Sequence, residues 1–448
     1  MAQYNETNFD FLKRLASRYG QWFYFDGMRM QFGQTKTSKI KLINGSSLHG
    51  FKIQTNMASH KISLGGYDYN GASNIRNSAA RTSSGSKDSF SSVVGHNQGT
   101  VAQNDLNNGA YTTNAQSSEE IQEMVRLQTA GSDANSVYYS GISYFPLGLG
   151  QVFSIINQTV EHELIVTEVT HISQVHGNYS CNFKAIPADV AAPHYTDVHV
   201  FAKAETQPAK VKDNNDPEGL GRVKVRFNWA GGNNSSEWLR MIQPHSGSGK
   251  GFYFIPEIGE EVLVGFEGDN AQNPYVLGTQ YNGSQSSGYA DGQNNVKAIH
   301  TRSGIKFILN DGEGSILIED PSGNTWKMDG QGNIAVNARK NLTLNAGENV
   351  SIKAGKNVSV SAGEDVEIEA SKDIVQAAGN DLTQNAGGDI IESSNNKTEI
   401  IEQTYIRSSL ESTHHAEEVT IFSTKENMLL ESTNKTVEIN SVEKSNFF

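Results

Sequence analysis

The chain carries an unbroken eight-residue repeat that begins at Asn333 and reads NIAVNARK NLTLNAGE NVSIKAGK NVSVSAGE DVEIEASK DIVQAAGN DLTQNAGG DIIESSNN. Its regular octads span residues 333–393. In most octads two positions, two residues apart, are apolar, and alanine follows two residues later. A spacing of two is typical of a β-strand with one apolar face. The Asn, Asp and Gly residues between these strands predict corners, because they tolerate turn dihedrals. The apolar positions are Ile334, Val336, Leu342, Leu344, Val350, Ile352, Val358, Val360, Val366, Ile368, Ile374, Leu382 and Ile390.

One octad supplies one short strand whose apolar face needs a second layer to cover it. Three identical chains supply three such faces, and a closed triangular prism also removes the exposed strand edges. The repeat therefore predicts a homotrimeric, intertwined β-helix with the apolar residues named above on the trimer axis. At ~4.7 Å per strand, residues 304–448 predict a needle of roughly 85 Å. An alternating strand in an ordinary β-sandwich is the alternative, which the constant period disfavours.

Composition and charge limit the functions and the cellular compartment that the sequence predicts. The 448 residues carry a net charge of −13 and one cysteine, Cys181. A negative protein of this size is a poor ligand for nucleic acid, and one cysteine excludes an intrachain disulfide. The first residues, MAQYNETNFDF, lack the basic and apolar regions of a signal peptide, and no segment has the pattern of a transmembrane helix. We therefore expect folding in a reducing compartment such as the cytoplasm, and any membrane crossing must be forced from outside or made as part of an assembly.

The rest of the chain predicts a mainly β protein with three domains. Residues 1–198 predict a mixed, β-rich base domain with helices over 5–19 and 117–130 and no elements over 70–115. The expected buried face of the first helix consists of Phe11, Leu12, Leu15, Ala16 and Tyr19. Residues 199–285 carry short strands separated by glycine turns, at 223–227, 238–242, 261–266 and 275–278, which predicts an OB-fold barrel. Residues 286–448 form the predicted needle.

Three motifs of the middle domain closely resemble a known family. They are DNNDPEGLGRV at 213–223, GFYFIPEIGEEV at 251–262 and NPYVLG at 273–278. The chain resembles the VgrG family, the trimeric spike proteins of bacterial type VI secretion systems, which are similar to the central spike of contractile phage tails. Residues 5–27 and 145–152 resemble the tube-like base domain of that family, and the octads resemble its needle. Family members usually carry more residues before this helix, so we expect the base domain to be incomplete at its N-terminus.

The resemblance implies a mechanical function. A VgrG spike sits on a secreted tube of Hcp rings, is held by baseplate components and is driven outward by a contracting sheath. A PAAR-type protein or an effector is carried at the tip through the target membrane. A phage-type tail spike and a trimeric adhesin or depolymerase are the alternative functions. Phe447 and Phe448 would give the tip an apolar patch, which predicts a docking site for the cap.

Two histidine motifs are weak candidates for metal binding. His162-Glu163 begins like the zinc motif HExxH, but Val166 replaces the second histidine. His414 and His415 are adjacent, and adjacent strand residues face opposite sides. We expect no metal site.

Two basic motifs of the middle domain are weak candidates for phosphate or nucleic-acid binding. The segment 246–251, SGSGKG, lacks the first glycine of a P-loop. Arg222, Lys224 and Arg226 alternate, but the chain is acidic overall, so we expect inter-subunit or inter-domain contacts from them. The sequence predicts no catalytic residue, no cofactor and no enzymatic activity.

Overall fold

The computed structural model describes residues 3–33, 35–56, 61–80, 110–111, 117–175 and 177–442. The predicted tip residues Phe447 and Phe448 lie outside these ranges. The chain divides into two compact units, Met1–Leu342 and Thr343–Phe448. The helices are α1 (Asn8–Arg18) and α2 (Ser118–Ala134). The strands are β1 (Phe23–Phe25), β2 (Met30–Phe32), β3 (Lys36–Ile43), β4 (Leu48–Thr55), β5 (Lys61–Asp68), β6 (Ser73–Ala80), β7 (Ala110–Tyr111), β8 (Val137–Ser143), β9 (Gln151–Asn157), β10 (Val160–Ser173), β11 (Tyr179–Pro187), β12 (Gln207–Asp213), β13 (Lys224–Phe227), β14 (Ser246–Gly247), β15 (Lys250–Gly251), β16 (Glu261–Phe266), β17 (Pro274–Thr279), β18 (Val296–His300), β19 (Lys306–Asn310), β20 (Ser315–Glu319), β21 (Thr325–Met328) and β22 (Ile334–Asn337).

A six-stranded sheet organises the first 200 residues, in the order β3-β9-β10-β11-β8-β4. Its strands alternate apolar residues, and one face buries Tyr139, Phe153, Leu164 and Phe183 in a single core. A separate cluster forms where α2 packs on β5 and β6, because Ile121 and its apolar neighbours repeat at helical spacing. The prediction of a mainly β fold is confirmed.

Helix α1 lies where the sequence predicted it, and Ala16 of its predicted buried face is fully buried, but part of that face differs. Thr7 caps the first turn by accepting a hydrogen bond from the backbone N–H of Asp10. Arg14 and Arg18 are buried, whereas the predicted core residues Leu12 and Tyr19 stay exposed. Charged side chains are buried only with partners. Arg14 pairs with Glu6 at 2.6 Å, and Arg18 donates to the carbonyl of Val198 at 3.4 Å.

Strand β6 was not predicted, because the segment 70–115 was expected to lack regular elements. Its sequence, SNIRNSAA, contains a single large apolar residue and therefore gives little periodicity. The strand forms because β5 supplies an antiparallel partner along its whole length, from Lys61 opposite Ala80 to Asp68 opposite Ser73. Tertiary pairing thus outweighs local propensity here.

The middle domain is built on a four-stranded sheet in the order β13-β12-β16-β17. Val211, Val225, Val262, Val264 and Val276 are fully buried on it. The predicted strand over 238–242 is not regular: it makes only isolated bridges, to β17 and to the residue before β13. The core is therefore that of a small β-barrel domain with one irregular side.

Strands β18 to β22 form a five-stranded antiparallel meander in which each strand pairs with the next along the chain. Short loops close it: the carboxylates of Asp320 and Asp329 accept backbone N–H groups within their own loops. Ile334 and Val336 of the first octad lie in β22 and oppose Met328 and Trp326 of β21. The start of the predicted needle is therefore paired within its own chain. An intertwined prism over 343–448 would be roughly 60 Å long, rather than 85 Å.

The described residues of the second unit, 343–442, contain no helix and no strand, although the sequence predicted a strand in each octad. They also make no backbone–backbone hydrogen bond among themselves. A strand requires a hydrogen-bonded neighbour, and this segment of one chain supplies none.

The predicted corners are nevertheless present in the second unit. Bends occur at the seventh and eighth positions of successive octads, beginning at residues 347, 355, 363, 371, 379 and 387. The octad glycines lie at these corners as predicted, although none of them adopts a positive φ. A Cβ added to any of them would meet no atom of this chain. Any close contact that requires glycine here must therefore come from another chain.

Among the helices of the described ranges, none is both long and apolar enough to cross a membrane.

Candidate functional site

One face of the β18–β22 meander is apolar and open to solvent. A row of directly opposed residues crosses all of its strands, and each is large and apolar. Each of them remains 38–49% exposed, which is high for large apolar side chains in the middle of a sheet. The row consists of Ile299, Phe307, Ile318, Trp326 and Val336.

A second row on the same face is also apolar from β19 onward. It runs from Leu309 through Ile316 and Met328 to Ile334. The opposite face carries polar pairs, including the ion pair of Lys306 with Glu319 at 3.2 Å. A contiguous exposed apolar face of this extent is typical of a protein–protein interface. This face was not predicted from the sequence, although period-two alternation in β18 to β21 is a signal that reveals it.

The octads expose their apolar residues in the same repeating manner. Side chains at the first apolar position, from Leu342 to Ile390, are 56–63% exposed, and those at the second position, from Leu344 to Ile368, are 68–76% exposed. The narrow spread at each position means that the conformation repeats with the eight-residue period. The residues predicted for the trimer axis thus lie uncovered on the single chain, and their place on an axis remains a prediction.

In the last segment of the sequence, apolar residues recur nine residues apart, and the structure shows the same spacing. Ile421, Leu430 and Ile439 are all more than half exposed. Bends beginning at residues 424 and 433 lie nine apart, with another bend at 442. The repeating, uncovered conformation therefore continues to the end of the described residues.

The middle domain has an additional exposed apolar segment beside its β14–β15 hairpin. Phe252 and Tyr253 line an open groove of about 990 Å³ together with Leu220. Phe254 follows them and stacks obliquely against Phe252, with ring centroids 6.0 Å apart. The segment SGSGKG forms this hairpin, so its backbone N–H groups do not open a helix as those of a P-loop do.

Two of the three alternating basic residues of the middle domain, Arg222 and Lys224, contact partners within that domain, and the expected inter-subunit contacts remain a prediction. Arg222 is buried and pairs with buried Asp216 at 2.7 Å, and the same carboxylate accepts the backbone N–H groups of Glu218 and Leu220. Hydrogen bonds from Arg222 hold the pKa of Asp216 well below its usual range. Lys224 lies over the ring of Trp238, 4.9 Å from its centroid. The ion pair and the hydrogen bonds of Asp216 organise the loop of the DPEGLGR motif.

The histidine candidates lie in surroundings unlike metal sites. His162 is buried on β10 between the rings of Tyr139 and Phe51, with centroids 5.2 and 6.2 Å away. His414 directs Nε2 toward Arg407 at 3.3 Å, a cation that disfavours a bound metal. The described part of the chain contains no group of three His, Cys, Asp or Glu residues with metal-binding geometry.

Comparison with known families matches both globular parts of the chain. Residues 207–281 match the type VI secretion system/phage-baseplate injector OB domain, and residues 1–176 match the phage tail baseplate hub. The first match confirms the predicted OB-fold.

Curated relatives include two named spike or toxin proteins. The type VI secretion system spike protein VgrG1a of Pseudomonas aeruginosa is 38% identical over 90 residues, covering 19% of this chain and 13% of that protein. The actin cross-linking toxin VgrG1 of Vibrio cholerae is 30% identical over 164 residues, covering 32% of this chain and 14% of the toxin. The chain therefore spans well under a fifth of the length of these relatives. The resemblance to the VgrG family is confirmed.

Among solved structures, an E. coli protein described as a component of the type VI secretion system aligns with a TM-score of 0.35 and 16% identity. The alignment covers 62% of each chain. The PdpA–VgrG complex of Francisella aligns with a TM-score of 0.42 and 8% identity, covering 75% of this chain and 56% of that one.

Proposed function

We propose that this relative of the type VI spike proteins is a subunit of a homotrimeric puncturing spike in a contractile injection apparatus. One observation carries the proposal: the octads from residue 341 onward hold their apolar side chains in a regular exposed array and make no backbone–backbone hydrogen bonds within their own chain. Exposed apolar side chains favour burial against another protein surface. Once that surface excludes water, the unpaired backbone groups need hydrogen-bond partners. Two further copies of the same repeat supply both at once.

The meander supports the same assembly independently. Its exposed row from Ile299 to Val336 is an apolar surface of the kind that identical subunits bury against one another. Three such faces turned inward form a core, and the partly polar opposite faces remain in water. The globular part and the repeat thus each present an apolar surface for the same partners.

The mechanical function follows from the rigidity of a closed prism. Covered by two partners, each octad adds one level of paired strands and one layer of apolar side chains, and a closed sheet has no edge along its length. Such a rod transmits an axial push without bending or unfolding locally. We propose that it carries an effector or a small tip protein through the target membrane and contains no catalytic site.

The family matches support the place of the spike in its apparatus. The hub-type match at residues 1–176 and the injector OB match at residues 207–281 both belong to baseplates of contractile particles. We propose that the base domain docks on an Hcp-type tube ring and on baseplate components. The protein would be assembled in the cytoplasm and leave the cell through the apparatus.

Electron microscopy of the purified protein tests this function. We expect a threefold club-shaped particle with a thin rod, in which the octads contribute roughly 60 Å. A variant with three octads removed provides an internal ruler, because its rod should be shorter by ~14 Å. Globular particles without a rod, or a rod of unchanged length in the shortened variant, would contradict the proposal.

A further inference from the structure

The last position of successive octads carries charges of alternating sign. Within the second unit these residues are Glu348, Lys356, Glu364 and Lys372, and Lys340 extends the alternation in the preceding octad. The four residues of the second unit are each the second residue of a bend and are exposed. The sequence therefore places one charge at each of four consecutive corners.

None of these four residues has an ion-pair partner in the described part of its own chain. The second unit does form ion pairs elsewhere: Lys397 contacts Glu392 and also Glu399, the latter at 2.7 Å. Residues eight apart on one chain are carried to different faces of a three-sided prism, so they do not meet. Ion-pair partners for the alternating charges can therefore come from other chains.

A prism of three chains provides those partners. Along each of its edges, the corner above and the corner below a given octad belong to neighbouring chains and come from the preceding and following octads. With strands ~4.7 Å apart, a Glu corner of one chain lies beside Lys corners of its neighbours. We infer that Glu348, Lys356, Glu364 and Lys372 form an interchain charge ladder that sets the register of the three chains. This inference rests on the proposed trimer.

The apolar residues alone leave the register undetermined. Most octads offer the same apolar positions, so a chain displaced by eight residues still directs most of these side chains inward. The same displacement brings Glu beside Glu and Lys beside Lys along every edge that the displaced chain touches. Exposed ion pairs are individually weak, but a ladder of them discriminates against the wrong register because each attraction becomes a repulsion.

A chain with inverted charges tests the ladder. The inverted variant carries Glu348→Lys, Lys356→Glu, Glu364→Lys and Lys372→Glu, on a background of Lys340→Gln that removes the flanking charge. The matched control carries Lys340→Gln alone and therefore has the same net charge. Each variant is co-expressed with the unchanged full-length chain, with a different tag on each, and native mass spectrometry counts the mixed trimers.

The control should mix with the unchanged chain in binomial proportions. The inverted chain should form trimers by itself, while its mixed trimers are depleted by about tenfold or more. Binomial mixing of the inverted chain, or its failure to assemble alone, overturns the ladder. Absence of trimers from the unchanged chain overturns the proposed function as well, so the two failures are distinguishable.

A second variant tests the ladder if the inverted variant expresses poorly. Glu348→Lys with Glu364→Lys gives four consecutive positive corners on every edge. Its melting temperature should lie below that of the unchanged protein in dilute buffer, and about 1 M salt should close most of the gap, since screening then acts over ~3 Å. Equal melting temperatures in dilute buffer contradict the ladder.

Discussion

The substitution Val358→Asp probes the apolar array of the octads at its centre. Val358 is 59% exposed on the single chain, so about that fraction of its side chain is available for burial between chains. Full burial of a valine stabilises by ~1.5–3 kcal/mol, which gives about 1–1.8 kcal/mol per chain and about 3–5 kcal/mol for three chains. Asp forfeits this stabilisation and also places three carboxylates at one level of a dry axis, each of which costs several kcal/mol more.

Sedimentation velocity and thermal unfolding measure the effect of Val358→Asp. We expect loss of the trimer at pH 7.5, with partial recovery near pH 4, because protonation removes the buried charges. The neighbouring change Ser359→Asp is the control: Ser359 is also exposed but has the opposite parity, so its Asp should remain in water and change stability by less than about 0.5 kcal/mol. A Val358→Asp protein that is trimeric and melts like the Ser359→Asp protein would refute the axial placement.

Three further perturbations test the buried ion pair of the middle domain, a turn glycine and the period of the octads. Asp216→Asn removes the buried anion of Arg222 and leaves the guanidinium with the more exposed carboxylate of Glu218, 3.3 Å away, so it should destabilise the middle domain by ~3 kcal/mol in denaturant unfolding. Because the pKa of Asp216 is lowered in the folded protein, its stabilisation is present above the ordinary value of 3.8 and should fall as pH drops below that value, while the Asn variant should show a shallower acid dependence. Gly330→Ala should lower the melting temperature clearly, since φ is +75° and a Cβ would lie 2.0 Å from the carbonyl oxygen of Glu313, whereas Gly283→Ala meets no atom and should melt normally. Deleting the whole octad 381–388 should preserve trimers, whereas deleting one residue within it should disrupt them, because only the single deletion reverses the faces of the following segments.

Local sequence signals predicted much of the fold. The corners of the octads appear at the predicted period, because a bend is encoded within a few residues. The strands from Val137 to Pro187 also lie close to their predicted bounds, since each alternates strongly and ends at turn residues. Features of this kind depend on neighbours in sequence and can therefore be read from it.

Features that depend on distant partners were missed. Arg14 and Arg18 are buried on α1 because Glu6 and the carbonyl of Val198 receive them, and helical periodicity alone favours the apolar residues instead. Strand β6 exists because β5 lies beside it.

The residues of the candidate site also divide into those that local sequence predicts and those that depend on distant partners. The apolar positions of the octads were predicted individually, because they repeat within eight residues. The exposed row across the meander was not, since it arises only when five strands align Phe307, Trp326 and their neighbours in register. Sequence alternation identifies which residues share a face, but the pairing of the strands decides that the faces join into one surface.

The mass of the purified full-length protein in solution tests the central claim most directly. Light scattering coupled to size-exclusion chromatography should give about 146 kDa, three times the 48.8 kDa of one chain. That mass should persist on dilution, because exposed octad side chains and unpaired backbone groups have no alternative cover. A stable, soluble species of 48.8 kDa would contradict the trimeric spike, since one chain would then tolerate its uncovered repeat in water.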